Sequence, residues 1–512
     1  MKFDLIKRPK TIDLGEYQPL SVVYQLRWSI LQKVRKGEDP LPDIQGREEV
    51  KQDVLRALLS GTHAYLVSEE GTGKTRLARS LTKLLPRVPA IKGCPYHDDP
   101  LWPKDLLCAR CRASKDPQKE YGVEFIPGQR RFSRIQGNEY TNEAKLLGLK
   151  DIQAIAQGMS PSDPRVFTGT GILRANRGIL FIDELPAIRT KVQVLLHPVL
   201  EEKKAILEEY KWEHLLDLVL IATGNPLGFS HVNEVPRPLL DRLELIYMDL
   251  PEKETEREIM LKEKFAVNEH HLQPGEEAET LSYPTLEEVE RKVAAPWWII
   301  DLINTAVRES RTCPWLEKKA SIRATTKAID HTYASVELMN RRVANLRDVA
   351  QGLKLALRSR VGLRADLIDF ESPKNSLDKC DELAEYLLCK ALADFDFRWQ
   401  VNKENLAAEL NSILAESTGG LTSTLERCPE LNRVIAQMRK IATDKATNEL
   451  NRTEMDLALQ PEKLSQELLE EYNYSALETI CNLAWHRNLI GDSIRDRFYV
   501  PQMGSFFHKR QQ

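Results

Sequence analysis

The sequence predicts an α/β fold built on a parallel sheet, followed by helices toward the end of the chain. Three observations carry this reading. A short apolar run, Ala64 to Val67, leads into a Gly-rich segment and then into Leu77, Ala78 and Leu81 at helical spacing. Two further apolar runs, Gly178–Ile182 and Leu218–Ala222, end in the polar groups Asp183-Glu184 and Thr223-Gly224-Asn225. Continuous apolar runs suit strands covered on both faces, and such sheets bind ligands beyond their strands' carboxyl ends. From residue 252 onward, apolar residues recur every three or four positions.

Composition bounds the rest. At roughly 150 residues per domain, 512 residues make about three domains. Hydrophobic residues are 42% and charged residues 29%, which excludes collagenous, low-complexity and disordered chains. Lys and Arg number 73 against 76 Asp and Glu, so no global positive excess points to nucleic acid or an anionic membrane. No apolar run reaches a membrane span of about 18 residues. The opening stretch, MKFDLIKRPKTIDLGEYQP, lacks the apolar core of a secretory signal. Eight dispersed Cys are too few for a disulfide scaffold. A soluble cytoplasmic protein is expected.

The segment Ser68-Glu69-Glu70-Gly71-Thr72-Gly73-Lys74-Thr75 has the strand–loop–helix context of a phosphate cradle. Gly71 and Gly73 let backbone N–H groups close around phosphates, and the next helix presents its N-terminus to the anion. Lys74 is expected to reach the β/γ-phosphates of ATP and Thr75 to bind Mg²⁺. Ser68 stands where the usual pattern has Gly. Ser68, Thr72 and Arg76 complete the expected nucleotide-contacting set. Asp183 is expected to hold Mg²⁺ and Glu184 to polarise the attacking water, because phosphoryl transfer needs mainly positioning and charge neutralisation. Asn225 either fixes a water or the γ-phosphate, or belongs to a plain Asn-Pro turn.

With these motifs in order, the chain resembles AAA+ ATPases of the magnesium-chelatase/MoxR-like branch. The residues that carry the resemblance are LVSEEGTGKTRLA, GILRANRGILFIDELPAI, LIATGNP, RPLLDRLELIYMDLPEKETEREIM and SIRATTKAID. The resemblance implies an AAA+ P-loop core at 41–250 with an insertion in helix 2 at about 125–172, and a helical lid at 251–371. An N-terminal helical arm (1–40) and an all-helical C-terminal domain (372–512) flank them. It implies that Arg242 is an arginine finger projecting into a neighbouring subunit's ATP, with Arg237 a second candidate. Arg323 matches a sensor arginine touching the γ-phosphate in cis, and Ile44 meets the adenine. A finger used in trans requires a homo-oligomer, by resemblance a hexameric ring. The alternative for Arg242 is a helix-end Arg paired with Asp241; for Arg323, a surface Arg on a helix.

Cys94, His97, Cys108 and Cys111 form two paired spacings around a loop, a set that suits tetrahedral Zn²⁺. Unrelated reduced thiols and an iron–sulfur cluster are the alternatives.

The helical elements expected further on are Leu20–Lys36, Glu252–Phe265, Leu286–Val293, Trp297–Arg311, Ile322–Met339 and Leu346–Ser359, with Glu371–Asn375 as a linker. Trp297 and Trp298 read as core. Three functions compete. The first is a ring ATPase that remodels or activates a partner protein, a chaperone-like role in which relatives act with a von Willebrand factor A-type partner. The second is the motor subunit of a metal chelatase. The third is a nucleic-acid motor, whose only support is Gln129-Arg130-Arg131-Phe132-Ser133-Arg134, otherwise a solvated turn of a hairpin.

Overall fold

The computed structural model describes residues 14, 17–68, 72–207, 210, 212–224, 235–249, 255, 285–289, 291–368, 373–395, 399–415, 425, 427–445 and 465–502. The chain forms two compact units: residues 1–51 with 61–290, and residues 52–60 with 291–512.

The first unit is built on a five-stranded sheet. Its strands are β1 (His63–Val67), β2 (Phe132–Gln136), β3 (Gly178–Asp183), β4 (Leu218–Gly224) and β5 (Leu243–Tyr247). They lie in the order β5-β1-β4-β3-β2, and every neighbouring pair is parallel. All seven residues of β4 are buried, as a doubly covered strand requires. Against the sheet packs α1 (Val22–Arg35), while α2 (Glu48–Leu59) and α3 (Lys74–Ser80) precede and follow β1 in the chain. In α1, Val22, Leu26 and Ile30 recur at intervals of four and are fully buried. The Asp217 carboxylate accepts a 2.8 Å bond from the Val22 amide and so satisfies one free N–H at that helix start.

Phe132–Gln136, placed by the resemblance inside 125–172, is the edge strand of the central sheet. A smaller antiparallel pair, Gly148–Lys150 with Phe167–Gly169, also lies within the expected insertion range. The basic stretch before and within β2 is engaged internally. Arg131 is fully buried and donates to the Gln25 Oε1 (2.8 Å) and to the carbonyls of Arg177 (2.7 Å) and Pro86 (2.5 Å). Arg130 pairs with Glu124 at 2.9 Å and Arg134 with Asp183 at 2.7 Å.

In the second unit the helices are α4 (Trp297–Glu309), α5 (Ile322–Leu338), α6 (Leu346–Arg358), α7 (Pro373–Ala393), α8 (Lys403–Ala415), α9 (Pro429–Lys445) and α10 (Gln466–His486). Asn345 and Asp348 cap α6 reciprocally, each side chain taking the other's backbone N–H. One apolar core joins Leu302 of α4, Leu353 of α6, Leu387 of α7, Val434 of α9 and Ile480 of α10. The boundary expected at 371–372 therefore does not separate two cores. Helices on both sides of it bury their apolar faces against each other. Trp298 is fully buried there, and the Trp297 indole donates to the Met438 carbonyl at 2.8 Å.

Candidate nucleotide and metal sites

β1 and β3 flank β4, so the residues following all three strands meet at one end of the sheet. After β1, the Ser68 and Thr72 hydroxyls lie 2.6 Å apart and fully buried, tying the two ends of the loop together. This is a use for the hydroxyl that glycine would lack. Lys74 Nζ donates to the Ser68 carbonyl at 2.9 Å. Gly73, at φ +88°, stands in left-handed backbone that disfavours a side chain and starts α3. Thr75 and Arg76 are the second and third residues of that helix. The Arg47 guanidinium donates to the Thr72 carbonyl; burial lowers its pKa, against the opposing pull of Asp249. Gly71 and Asn225 lie outside the described residues. Ile44 is buried in this unit.

At the end of β3, both Asp183 oxygens are engaged. Oδ1 accepts from the Thr223 hydroxyl at 2.8 Å and Oδ2 from Arg134 at 2.7 Å. The Glu184 amide donates to the same Thr223 hydroxyl at 2.9 Å. Glu184 turns the chain with φ +56°. Gly137 makes that turn fit, because a Cβ there would lie 2.2 Å from the Glu184 carbonyl oxygen. Gln136 Nε2 is 3.4 Å from Glu184 Oε2. The sequence reading missed Arg134, Gln136 and Thr223. For Arg134 and Gln136 the signal was their place in β2, visible only once that strand is recognised; for Thr223 it was its place at the end of β4. The hard oxygens of Asp183 and the Thr75 hydroxyl form a donor set that suits Mg²⁺.

Arg242 donates to the Pro238 carbonyl and pairs with Glu201, not with Asp241; its side chain is 15% exposed. Arg237 begins the short helix Arg237–Leu240 and is exposed. Arg323 is exposed at the second position of α5 in the other unit.

The cysteine segment is framed by the antiparallel strands Val88–Ile91 and Val123–Ile126. Cys94, Cys108 and Cys111 come together with Asp98, all buried, with one ligand atom from each lying within 4.8 Å of the others. His97 is not in the group. At φ +59° its ring turns away, and Nδ1 lies 3.1 Å from the Asn176 carbonyl. The Cys94 and Cys108 sulfurs are 3.8 Å apart. Metal–sulfur bonds of about 2.3 Å in a tetrahedron give an edge of about 3.8 Å. Asp98 Oδ2 accepts from the Cys108 amide at 2.7 Å, while Oδ1 is buried without a hydrogen-bond partner. An orphaned carboxylate oxygen beside three thiols is the arrangement that a cation satisfies. Burial and then the Cys94 charge push the Asp98 carboxyl up to about 7. Hydrogen bonds from the Cys108 and Cys111 thiols lower the Cys94 pKa.

The next residue, Asp99, holds Arg177 at 2.5 Å and also accepts from the Tyr17 hydroxyl. Arg177 further donates to the Pro89 and His97 carbonyls, both at 2.8 Å, and immediately precedes β3. This fully internal arginine thus has the partners that a buried charge requires.

A parallel sheet with a phosphate loop after one central strand and an Asp-Glu pair after another defines a P-loop nucleoside-triphosphatase fold. Residues 123–243 match the family model described as AAA domain (dynein-related subfamily). The magnesium-chelatase 38 kDa subunit of Acidiphilium rubrum is 29% identical over 211 residues, covering 40% of this chain and 57% of that one. A magnesium-chelatase subunit of Nostoc sp. is 28% identical over 208 residues, covering 40% and 52%. The chain spans about half the length of these curated relatives. A crystal structure of a candidate ATPase from Cytophaga hutchinsonii aligns at TM-score 0.45 and 16% identity, over 70% of this chain and 95% of that one. The α/β unit is an AAA+ ATPase domain of the magnesium-chelatase-like branch. Among the described residues, no helix is long and apolar enough to cross a membrane.

Proposed function

We propose that this protein hydrolyses ATP with Mg²⁺ in a homo-oligomeric ring, most simply a hexamer, and uses the cycle to remodel or activate a partner protein in the cytoplasm. The observation that carries this reading is the convergence of Lys74, Asp183 and Glu184 beyond the two strands that flank β4 in one parallel sheet. In this reading Lys74 and Thr75 hold the phosphates and metal, and Glu184 orients the attacking water. Asn225 and Arg323 contact the γ-phosphate in cis, and Arg242 serves the neighbour's site after leaving Glu201. Mg²⁺ supplies charge neutralisation on the phosphate oxygens. The partner inferred from the family resemblance carries a von Willebrand factor A-type domain.

ATP turnover by the purified chain, with and without such a partner, tests the reading. Turnover that no protein partner changes would remove the remodelling role. The motor of a metal chelatase is the second reading, supported by likeness to magnesium-chelatase subunits. Tetrapyrrole metalation lost on deletion of the gene would favour it. The nucleic-acid reading is weakened at Arg131, which is buried and bonded within the chain, while Arg130 and Arg134 sit in exposed ion pairs.

We also infer a structural Zn²⁺ held by Cys94, Cys108, Cys111 and Asp98, in place of the set containing His97. Zinc content near one ion per chain is expected in wild type and in His97→Ala. It should fall several-fold in Asp98→Ala, measured by elemental analysis of chelator-free protein. Equal zinc in both variants would exclude Asp98 as a ligand.

A further inference from the structure

Two side chains of β2 reach the two carboxylates of β3, and the sheet itself puts them there. The β2–β3 pairing sets Arg134 opposite Phe181 and Gln136 opposite Asp183. Residues two apart share a face of a strand, so Arg134 and Gln136 point the same way. One guanidinium nitrogen, Arg134 Nη2, donates to Asp183 Oδ2 at 2.7 Å and to Gln136 Oε1 at 3.0 Å. With its oxygen held by the arginine, the Gln136 amide turns its NH₂ toward Glu184 Oε2, 3.4 Å away. A chain of contacts thus runs from Arg134 to both acidic residues of the site.

We propose that Arg134 is a resident cation that competes with Mg²⁺ for Asp183. The proposal rests on the ATPase reading above. Two cations drawn to one carboxylate oxygen repel each other, and the other oxygen already accepts from Thr223. Metal association must therefore exceed the loss of the Arg134–Asp183 pair. The Arg134 side chain is 40% exposed, so the departing guanidinium can be solvated by water, whereas Asp183 is 14% exposed and stays in place. Arg134 and Gln136 are positioning residues in this scheme: they act on the carboxylates that handle metal and water.

The test is a Mg²⁺ titration of fluorescent ATP-analogue binding to the full chain, comparing wild type, Arg134→Gln and Arg134→Lys. A pair with one well-exposed partner is worth up to about 1 kcal/mol, so Arg134→Gln should lower the half-saturating Mg²⁺ concentration roughly two- to fivefold. Arg134→Lys, which keeps the charge, should stay near wild type. An unchanged or raised half-point in Arg134→Gln would overturn the proposal and leave the ATPase reading standing. So would weaker binding at every Mg²⁺ concentration, the signature of a merely structural role. Wild type that binds no analogue at any Mg²⁺ concentration would overturn both.

Discussion

Lys74 and Glu184 illustrate how differently single residues enter this site. Lys74 sits in a contiguous motif and is legible without any structure. Lys74→Ala is expected to abolish ATP binding, measured by equilibrium dialysis. Glu184→Gln should retain binding while turnover falls at least about a hundredfold, because a general base contributes that much or more. Normal turnover in Glu184→Gln would reassign the base. Gly137 was invisible from sequence, since its role is defined by what lies against it. A methyl group there would sit 2.2 Å from the Glu184 carbonyl oxygen. Gly137→Ala should cost roughly 1–3 kcal/mol of stability and displace Glu184. A thermal melt and an ATPase assay matching wild type would refute that. Asp98 escaped notice for a related reason. Spacing favours His97, but the left-handed turn at that residue sends its ring away and brings the following carboxylate in.

At the level of elements, strands buried on both faces were legible because their central residues are apolar. The edge strand β2 was not, because half of it faces outward and its FSRIQ sequence mixes both characters. Helices in the second unit followed apolar periodicity closely: the expected Ile322–Met339 is observed as Ile322–Leu338. Expected Glu252–Phe265 lies outside the described residues, apart from Thr255. What periodicity could not reveal is a polar joint inside the helical core. On α10, Glu478 is buried and accepts N–H bonds from Leu346 at 2.8 Å and Tyr499 at 3.3 Å. Burial chiefly, with Asp348 adding to it, raises its pKa from 4.5 to about 7. A carboxyl whose folded pKa is raised stabilises the fold fully below its unfolded pKa. That contribution, at most roughly 3 kcal/mol, is lost as pH rises through about 7. Melting the full chain at pH 5.5 and pH 8 should therefore show the helical unit less stable at pH 8, and Glu478→Gln should flatten the difference. Equal pH dependence in both proteins would contradict this.

For the whole molecule, the sequence indicated an AAA+ engine but not how its helices divide, because a shared core is a property of packing across the expected linker. Assembly is tested by complementation. In the proposed reading Lys74→Ala fails to bind ATP but offers Arg242, and Arg242→Ala binds ATP but offers no finger. Mixed in equal amounts, the two inactive proteins should recover a fraction of wild-type hydrolysis. No recovery in mixtures shown by light scattering to co-assemble would exclude a trans finger. The succession Asp98-Asp99 carries one more consequence. The first carboxylate belongs to the thiol cluster, and the second grips Arg177 at the threshold of the strand that ends in Asp183 and Glu184. In the zinc reading, loss of the ion frees Asp98 and loosens the neighbouring Asp99–Arg177 anchor at the start of that strand.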